Sequence, residues 1–460
     1  MKFNPDDTIA AIATAPGAGG VGIVRLSGPE ALAIVGRMFR PQGSRNLERA
    51  PSHRMLYGWI EREGEPLDEV LAVAMRAPHS YTRQDVVEVH CHGGALVTRT
   101  VLELTLKGGA RLAQPGEFTQ RAFLNGRLDL TRAEAVLDVI GARSDWGLRV
   151  SAQQLRGRLY TEIQALREEV AHGAALVAAG IDFPEEDVVF AHREDLLRRL
   201  AGVRERLEGL LATAERGRRM RDGLAVAIVG RPNVGKSSLL NALLRENRAI
   251  VTEIPGTTRD TLEEALDLGG LAVRLIDTAG IREPGDRIER EGIARTRRAV
   301  DEADLVLAVL DGAAPLAAED RQVLALAPAA ALLAVINKRD RMSAPEPPWA
   351  RELGALPRVA VSALTGAGLA ELEAWIRAWA VQDERPLLEH AVLTNLRQQQ
   401  AAQGALDAVR AALAGIAEGL GDELIAVDLS RALDALGDIV GETTADDLLN
   451  RIFAEFCIGK

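Results

Sequence analysis

The residues most clearly suited to chemistry form the segment GRPNVGKS at 230–237. It follows an apolar run at 224–229, and a helix is predicted to begin near Lys236. In this pattern the backbone N–H groups surround phosphate oxygens, and the helix N-terminus adds a partial positive charge. Lys236 supplies a full positive charge, and the hydroxyl of Ser237 is suited to Mg²⁺. The segment therefore predicts a P-loop that binds a nucleotide, with Lys236 as a catalytic residue.

Three further motifs each follow a strand-like apolar run. DTAG at 277–280 offers a carboxylate for the Mg²⁺ shell and the Gly280 N–H for a γ-phosphate. NKRD at 337–340 ends on a carboxylate that can accept hydrogen bonds from N1–H and the amino group of guanine, a pair that adenine lacks. SAL at 362–364 is predicted to pack against the same base. Loops of this kind, in this order, resemble those of the GTPase superfamily.

The segment GTTRD at 256–260 resembles the first switch of those GTPases, and Thr258 is expected to join Ser237 on Mg²⁺. Ile281 follows DTAG, at the position where Ras-like proteins carry a glutamine that orients the attacking water. Water must therefore be activated by other means. Asn233, the GTTRD segment and Ile281 together make this region similar to K⁺-dependent GTPases, which are activated when two G domains face each other.

The elements that must position these motifs divide the chain into three predicted domains. Short strand-like runs broken by glycine and proline, with helices between them, predict an α+β N-terminal domain over 1–122. Amphipathic patterns predict an all-α helical domain made of 123–222 and 381–460, with two independent helical domains as the alternative. Its apolar faces are predicted to comprise Leu196, Leu200, Val203, Leu207 and Leu210, and further along Leu406, Val409, Leu413, Ile416 and Leu420.

Between the helical blocks, residues 223–380 alternate near-continuous apolar runs with helical stretches. Such runs suit strands that are buried on both faces of a sheet. This region is predicted to be an inserted α/β P-loop GTPase domain with a doubly wound, mostly parallel sheet.

Composition excludes several classes of protein. The chain has 460 residues and a net charge of −11, which argues against a protein that coats nucleic acid nonspecifically. Its two cysteines exclude a disulfide framework. The first residues are acidic, unlike a signal peptide, and no apolar run reaches the ~18 to 20 residues of a membrane span. We expect a cytoplasmic protein without stable membrane insertion.

Segments at both ends of the chain resemble a known family. DTIAAIATAPGAGGVGIVRLSG at 7–28, GEFTQRAFLNGRLDL at 116–130 and FCIGK at 456–460 look like the MnmE (TrmE) family of tRNA-modification GTPases, and the resemblance covers the whole chain. It implies a homodimer through the N-terminal domain, which binds a tetrahydrofolate derivative in its 5-formyl or methylene form. It also implies tRNA and an FAD-carrying partner of the MnmG (GidA) type. Together they install an aminomethyl or carboxymethylaminomethyl group on C5 of the wobble uridine.

The resemblance also implies roles for single residues of the nucleotide site. The expected K⁺ ligands are Asn233, Thr252, Ile254 and Thr257. Glu289 is expected to orient the water as a catalytic residue, and the neighbouring acids Glu283, Asp286 and Glu291 are alternatives. The full set of expected GTP contacts is Asn233, Val234, Gly235, Lys236, Ser237, Ser238, Thr252, Glu253, Ile254, Pro255, Gly256, Thr257, Thr258, Asp277, Thr278, Ala279, Gly280, Asn337, Lys338, Asp340, Ser362, Ala363 and Leu364.

For the folate, the resemblance implies contacts at Arg25, Glu88, Arg127 and Lys460. The family usually has lysine at the position of Arg127, so the positive charge is kept while the donor geometry differs. Cys457, in the same C-terminal segment as Lys460, is interpreted as lining this pocket rather than as a catalytic thiol.

Two other patterns have simple structural interpretations. His90, Cys91 and His92 are adjacent in a predicted strand, where successive side chains alternate faces, and this disfavours a metal site. The basic run at 216–221 is either a solvated linker or a local contact for tRNA or a partner.

Two alternative functions share most of the nucleotide motifs. A ribosome-assembly GTPase of the Era or Der kind should carry an RNA-binding appendage or a second G domain, and neither is visible in the sequence. A regulatory GTPase would act without folate chemistry. Binding of a reduced folate would separate the main hypothesis from both.

Overall fold

The structure, a computed structural model, describes residues 7–43, 46–182, 189–246, 264–276, 297–328, 331–381 and 390–459. The chain packs into two compact units. The first unit comprises Met1–Leu137, Tyr160–Leu200 and Asp407–Lys460, and the second unit comprises Asp138–Leu159 and Ala201–Leu406. The boundaries of the three predicted domains stay a prediction.

Helices predominate among the described residues after position 130. In chain order they are α1 (Ala31–Met38), α2 (Ala95–Lys107), α3 (Glu117–Leu124), α4 (Leu130–Gly141), α5 (Asp145–Leu155), α6 (Arg158–Asp182), α7 (Val189–Asp222), α8 (Lys236–Glu246), α9 (Ala318–Leu324), α10 (Leu369–Val381), α11 (Leu396–Glu418), α12 (Asp422–Val440) and α13 (Asp446–Ala454). Within the described ranges, no helix combines the length and the apolar character needed to cross a membrane.

A seven-stranded sheet forms the centre of the first unit. Its strands are β1 (Ile9–Ile12), β2 (Gly19–Ser27), β3 (Phe39–Pro41), β4 (Met55–Arg62), β5 (Glu65–Met75), β6 (Val86–Gly93) and β7 (Arg111–Leu112). They lie in the order β3-β4-β5-β6-β2-β1-β7, and only the pair β1 and β7 is parallel. Apolar side chains of the sheet pack with α1 and α2 in one core. This is the predicted α+β arrangement.

The two helical blocks contact each other within the first unit. Arg193 on α7 donates a hydrogen bond to the carbonyl of Ile416 on α11 at 2.6 Å. Gln164 on α6 donates to the carboxylate of Glu442 at 2.8 Å, and Arg167 forms an ion pair with the same carboxylate. These contacts join α6 and the start of α7 to the C-terminal helical block within the first unit.

The apolar faces follow the predicted spacing with one exception. All five apolar residues predicted on α7 are buried. Leu420, however, is 43% exposed, so its predicted place on the next apolar face is wrong. The reason is that α11 ends at Glu418, and Gly419 with a φ of +74° turns the chain before Leu420.

The second unit contains a six-stranded sheet. Its strands are β8 (Leu224–Val229), β9 (Glu264–Leu268), β10 (Leu271–Ile276), β11 (Leu305–Asp311), β12 (Leu332–Asn337) and β13 (Arg358–Ala360). They lie in the order β13-β12-β11-β8-β10-β9, and all neighbours are parallel except the edge strand β9. Val226 and Ile228 belong to one apolar core, whereas Ala225 and Ala227 belong to another. The sheet is therefore covered on both faces, which confirms the predicted doubly wound α/β domain.

Helical segments of the second unit pack directly on this sheet. Trp146 on α5 is buried. Its backbone N–H donates a hydrogen bond to the carbonyl of Gly270, in the turn between β9 and β10, at 3.3 Å. Met220, near the end of α7, is fully buried in the same core as β8. The apolar core of this domain thus includes residues that lie outside the inserted segment.

The basic run at the end of α7 also contacts the sheet. Arg218 pairs with Asp304 at 2.7 Å, just before β11, and the guanidinium of Arg219 lies 5.0 Å from the centre of the Trp379 ring. Asp304 in turn accepts a hydrogen bond from the N–H of Ala225 on β8. For Arg218 and Arg219, the solvated-linker interpretation is therefore wrong.

Candidate nucleotide site and N-terminal cavity

The P-loop lies between β8 and α8, as the sequence predicts. The sheet topology places it at the point where the strand order reverses. Its path depends on left-handed backbone at Asn233 and Gly235, whose φ angles are +67° and +99°. A Cβ atom on Gly235 would lie 2.2 Å from Nδ2 of Asn337, so only glycine fits there. The backbone is therefore held in a curved form suited to wrapping phosphate oxygens.

Lys236 is the cation of this loop. Its Nζ donates to the carbonyls of Gly230 at 2.7 Å and Arg231 at 2.9 Å. Burial lowers the pKa of its ammonium group, because the charged form loses contact with water. An anionic phosphate beside this partly desolvated charge would favour the ammonium form and interact with it strongly.

Asn337, at the end of β12, joins the P-loop to the loop that follows β13. Its side chain is buried, its Nδ2 donates to the carbonyl of Val234 at 2.9 Å, and its Oδ1 accepts from the N–H of Ala363 at 3.0 Å. One amide therefore fixes the phosphate loop and the predicted base-contacting loop relative to each other.

Lys338 makes a second connection to the P-loop. Its Nζ donates to the carbonyl of Asn233 at 2.9 Å and to the carboxylate of Asp311 at 2.6 Å. Burial alone would raise the pKa of Asp311, but hydrogen bonds from Lys338 and the N–H of Ala313, with the nearby positive charges, outweigh it and lower the pKa. Asp311 thus stays ionised and holds the lysine over the loop.

Asp340 is the candidate reader of the base. One of its carboxylate oxygens accepts a hydrogen bond from the hydroxyl of Ser362, which itself accepts from the N–H of Thr365 at 3.2 Å. The serine therefore orients the carboxylate. Leu364 in the same loop is 85% exposed and is free to contact a ligand placed between the two loops.

Only part of the predicted nucleotide site lies within the described residues. The predicted residues outside them are Thr252, Glu253, Ile254, Pro255, Gly256, Thr257, Thr258, Asp277, Thr278, Ala279, Gly280 and Glu289. The alternative acids Glu283, Asp286 and Glu291 lie outside as well. Of the predicted cation ligands, Asn233 and Ser237 are described, and both are exposed at the loop where a nucleotide would place its phosphates.

The first unit has a cavity of about 610 Å³, which we call the N-terminal cavity. Its lining residues are Arg25, His53, Met75, Pro78, His79, Ser80, Tyr81, Arg83, Glu88 and Arg127. The structure thus brings together three of the four residues that the family resemblance implies for folate: Arg25, Glu88 and Arg127. Lys460 lies outside the described residues.

An ion pair between Arg25 and Glu88 lies in the inner part of the N-terminal cavity, next to aromatic rings. Nε of Arg25 donates to Glu88 at 2.8 Å, and the other oxygen of Glu88 lies 3.2 Å from Nε2 of His90. The guanidinium of Arg25 lies 5.7 Å from the centre of the Tyr81 ring and 5.8 Å from that of Phe118. Phe118 is fully buried and supports Arg25 from within, whereas Tyr81 lines the cavity. A flat heterocycle with amide-like edges fits this combination of donor, acceptor and the ring of Tyr81.

The C-terminal segment also contacts Arg25 in the N-terminal cavity. Nη1 of Arg25 donates to the carbonyl of Gly459 at 3.3 Å, and Ile458 forms an isolated bridge with Pro115. Cys457 is exposed and is not among the residues that line the N-terminal cavity, and its pocket-lining role stays a prediction. Its backbone carbonyl instead accepts from the N–H of Gly116 at 3.4 Å.

A buried ion cluster beneath the cavity was not apparent from the sequence. Arg121 on α3 is fully buried, and its guanidinium contacts the carboxylates of Asp7 and Glu117. Arg111 also pairs with Glu117, at 2.6 Å. The cluster fixes α3, and α3 carries Phe118 below Arg25. Only the spacing of Glu117 and Arg121, one helical turn apart, could have suggested it.

His90, Cys91 and His92 alternate as the strand geometry requires. Cys91 is buried, and burial raises the pKa of its thiol to about 11. His92 is exposed, and its Nδ1 lies 2.7 Å from the carboxylate of Asp68. The three side chains therefore do not converge.

Comparisons with known proteins match the whole chain. The family model described as the GTP-binding protein TrmE N-terminus matches residues 8–127, and that described as the MnmE helical domain matches 130–457. A protein of Moorella thermoacetica named tRNA modification GTPase MnmE is 51% identical over 99% of this chain and 100% of its own length. One of the same name from Symbiobacterium thermophilum is 50% identical over 99% of this chain and 100% of its own.

Among solved structures, the G domain of the FeoB iron transporter of T. maritima aligns with 34% of this chain and 97% of its own, at 28% identity and a TM-score of 0.25. The fold of the second unit is established by its own strand order and pairing rather than by this alignment.

Proposed function

Because the chain belongs to the MnmE family of tRNA modification GTPases, we propose that it hydrolyses GTP in the modification of the wobble uridine of tRNA. The observation that supports this most directly is the position of Asn337, which ties the P-loop at Val234 to the loop of Ala363. The loop that contacts the phosphates and the loop that contacts the base are thereby fixed relative to each other, as hydrolysis of a particular nucleotide requires.

Different residues of the chain bind the phosphates, the base and the cations of the GTP site and orient the water. Lys236 exchanges its bonds to loop carbonyls for bonds to the phosphates, and Asp340 accepts hydrogen bonds from the guanine edge. Ser237 with Thr258 would hold Mg²⁺, and Asn233, Thr252, Ile254 and Thr257 would hold K⁺. When bound, these cations offset negative charge on the phosphates. Glu289 orients the attacking water and accepts its proton.

The N-terminal cavity is the proposed site of the reduced folate that carries the one-carbon unit. Arg25, Glu88, Arg127 and Lys460 would hold it, in its 5-formyl or methylene form. The guanidinium of Arg127 lies 4.7 Å from the centre of the Tyr81 ring, so the arginine that replaces the usual lysine is stacked at the cavity. This geometry supports a planar contact rather than a point charge.

The remaining parts of the proposal concern partners. The chain acts in the cytoplasm as a homodimer through its N-terminal domain. It works with an MnmG-type protein that supplies FAD, and the product carries an aminomethyl or carboxymethylaminomethyl group on C5 of the wobble uridine.

Two measurements on the purified full-length chain test the proposal. GTP hydrolysis should be faster than ATP hydrolysis by orders of magnitude, and 5-formyltetrahydrofolate should bind in calorimetry. A chain that hydrolyses GTP without binding the folate would favour the ribosome-assembly or regulatory alternative. A chain that hydrolyses neither nucleotide would contradict the proposal.

A further inference from the structure

The entrance of the N-terminal cavity carries two arginines that the inner ion pair does not use. Arg83 and Arg127 are both exposed, and both line the cavity. Within the described residues, neither forms an ion pair. Nη1 of Arg83 donates to the carbonyl of Asn125 at 2.9 Å, and Arg127 contacts the ring of Tyr81. We call this pair the mouth cations.

The side chain of Arg83 lies against the chain segment that leads into Arg127. A Cβ atom on Gly126 would lie 3.4 Å from Nη1 of Arg83, which places that guanidinium against the residue preceding Arg127. Because both guanidinium groups are positively charged and line the same cavity, an anion bound there is attracted by both. The hydrogen bond of Arg83 and the ring contact of Arg127 restrict the two side chains, which lowers the entropy cost of binding an anion.

The charge inside the cavity is already balanced. Glu88 is neutralised by Arg25 at 2.8 Å and also contacts His90. The positive excess therefore lies at the exposed entrance, and the aromatic surface of Tyr81 lies within. A ligand that matches this arrangement has a flat ring system at one end, which lies against the aromatic surface, and several carboxylates at the other end. The carboxylates stay at the exposed entrance because they are costly to bury away from water.

We propose that the mouth cations bind the γ-linked glutamate tail of the reduced folate, so that the chain prefers polyglutamylated folates to the monoglutamate. This inference rests on the proposed folate function of the cavity. The phosphates of tRNA are another polyanion, but they need a broad basic surface, whereas these two cations lie at the rim of an aromatic cavity.

The test compares the affinities of the full-length chain for 5-formyltetrahydrofolate with one and with three glutamates, by isothermal calorimetry. We expect the triglutamate to bind about tenfold more tightly at low salt, as two added exposed ion pairs would give. The preference should shrink as ionic strength rises. In the double variant Arg83→Gln and Arg127→Gln, the ratio of triglutamate affinity to monoglutamate affinity should fall to about one. The single variant Arg83→Gln should lower this ratio partway. Arg99→Gln, on an exposed face of α2, is the matched control and should keep the ratio.

The outcomes separate the two proposals. If the wild type binds both folates equally, the glutamate-tail inference is overturned while the folate function stands. If a preference exists but survives the double substitution, the tail lies elsewhere and the inference is also overturned. If neither folate binds, the folate function itself fails. If the double variant loses affinity for tRNA with an unchanged folate ratio, the mouth cations serve nucleic acid instead. Circular dichroism spectra of the variants should match that of the wild type.

Discussion

Nδ2 of Asn337 donates a hydrogen bond to the carbonyl of Val234 at 2.9 Å, across 103 positions of the sequence. Asn337 is 2% exposed, so neither group can exchange this bond for one to water. The contact makes the geometry of the phosphate loop depend on the end of β12.

Replacing this amide should loosen both loops. Asn337→Ala leaves the Val234 carbonyl and the Ala363 N–H without their partner, at a cost of about 2 to 4 kcal/mol. We expect GTP affinity to fall at least about tenfold, measured with a fluorescent GTP analogue. Asn46→Ala, which removes the exposed side chain that caps the short 3₁₀ turn Leu47–Arg49 in the first unit, is the control and should leave that affinity unchanged. Equal affinities for wild type and Asn337→Ala would show that the loops hold their positions without the amide.

The base preference should follow Asp340. In Asp340→Asn, the new side chain has one acceptor oxygen instead of two, so it can no longer accept from both N1–H and the amino group of guanine, while its NH₂ group can donate to the C2 oxygen of xanthine. GTP affinity should fall about 10²-fold or more, and xanthosine triphosphate should bind better than it does to the wild type. Competition binding with the two nucleotides gives the result. An unchanged preference would mean that NKRD at 337–340 does not read the base.

Hydrolysis should require K⁺ beyond its contribution to ionic strength. Ile281 cannot polarise water, and Asn233 is exposed in the P-loop, where its side chain can reach a cation. Exchanging K⁺ for Na⁺ at equal ionic strength should lower the rate of phosphate release steeply, and Asn233→Ala should abolish the difference. Equal turnover in Na⁺, or a K⁺ effect that survives Asn233→Ala, would count against this site.

Glu289→Ala should lower the rate of GTP hydrolysis without lowering the affinity for the nucleotide. Nucleotide affinity should stay near that of the wild type while hydrolysis falls by about 10²-fold or more, as expected for a positioned general base. Lys236→Ala should instead lose both affinity and rate. Single-turnover assays of Glu283→Ala, Asp286→Ala and Glu291→Ala are the matched comparison. If one of these is slow and Glu289→Ala is normal, the water is oriented by that other acid.

The ion cluster beneath the N-terminal cavity should make stability sensitive to acid. Burial alone would raise the pKa of Glu117, but hydrogen bonds from Arg111, the Gln114 N–H and Arg121 outweigh it and lower the pKa. Its stabilising contribution is therefore complete above the unfolded-state pKa of about 4.3 and is lost as pH falls through the lower folded-state pKa.

Calorimetric unfolding temperatures measured between pH 3 and 7 should show this loss. Glu117→Gln should lower the unfolding temperature at pH 7 and flatten its pH dependence. Glu103→Gln, at an exposed ion pair on α2, is the control and should behave like the wild type. Parallel pH profiles for Glu117→Gln and the wild type would contradict the role assigned to the cluster.

The sequence predicts features that depend on neighbouring residues. The P-loop, the helix start at Lys236 and the buried strands of the second unit were predicted because strand, loop and helix are contiguous and their periodicities differ. The link from Asn337 to Val234 could not be predicted, since two loops distant in sequence meet only once the sheet is formed. Helix ends are also hard to place, which is why Leu420 was assigned to a face that ends before it.

The N-terminal cavity shows a different limit. Arg25, Glu88 and Arg127 were selected by family resemblance, and no spacing among them indicates a shared pocket. Tyr81 and Arg83 belong to no motif, so their place in the cavity became evident only from the fold.

The hydrogen bond from Arg25 to the carbonyl of Gly459 has a consequence for biosynthesis. The two residues are 434 positions apart, and the whole nucleotide-binding sheet is encoded between them. At about 5 to 20 residues per second, a ribosome needs roughly 20 to 90 seconds to travel that distance. Until Gly459 emerges, Arg25 on β2 lacks the carbonyl that it contacts at this side of the cavity. We therefore expect the nascent chain to complete its P-loop domain before its N-terminal cavity, although the N-terminal cavity is begun first.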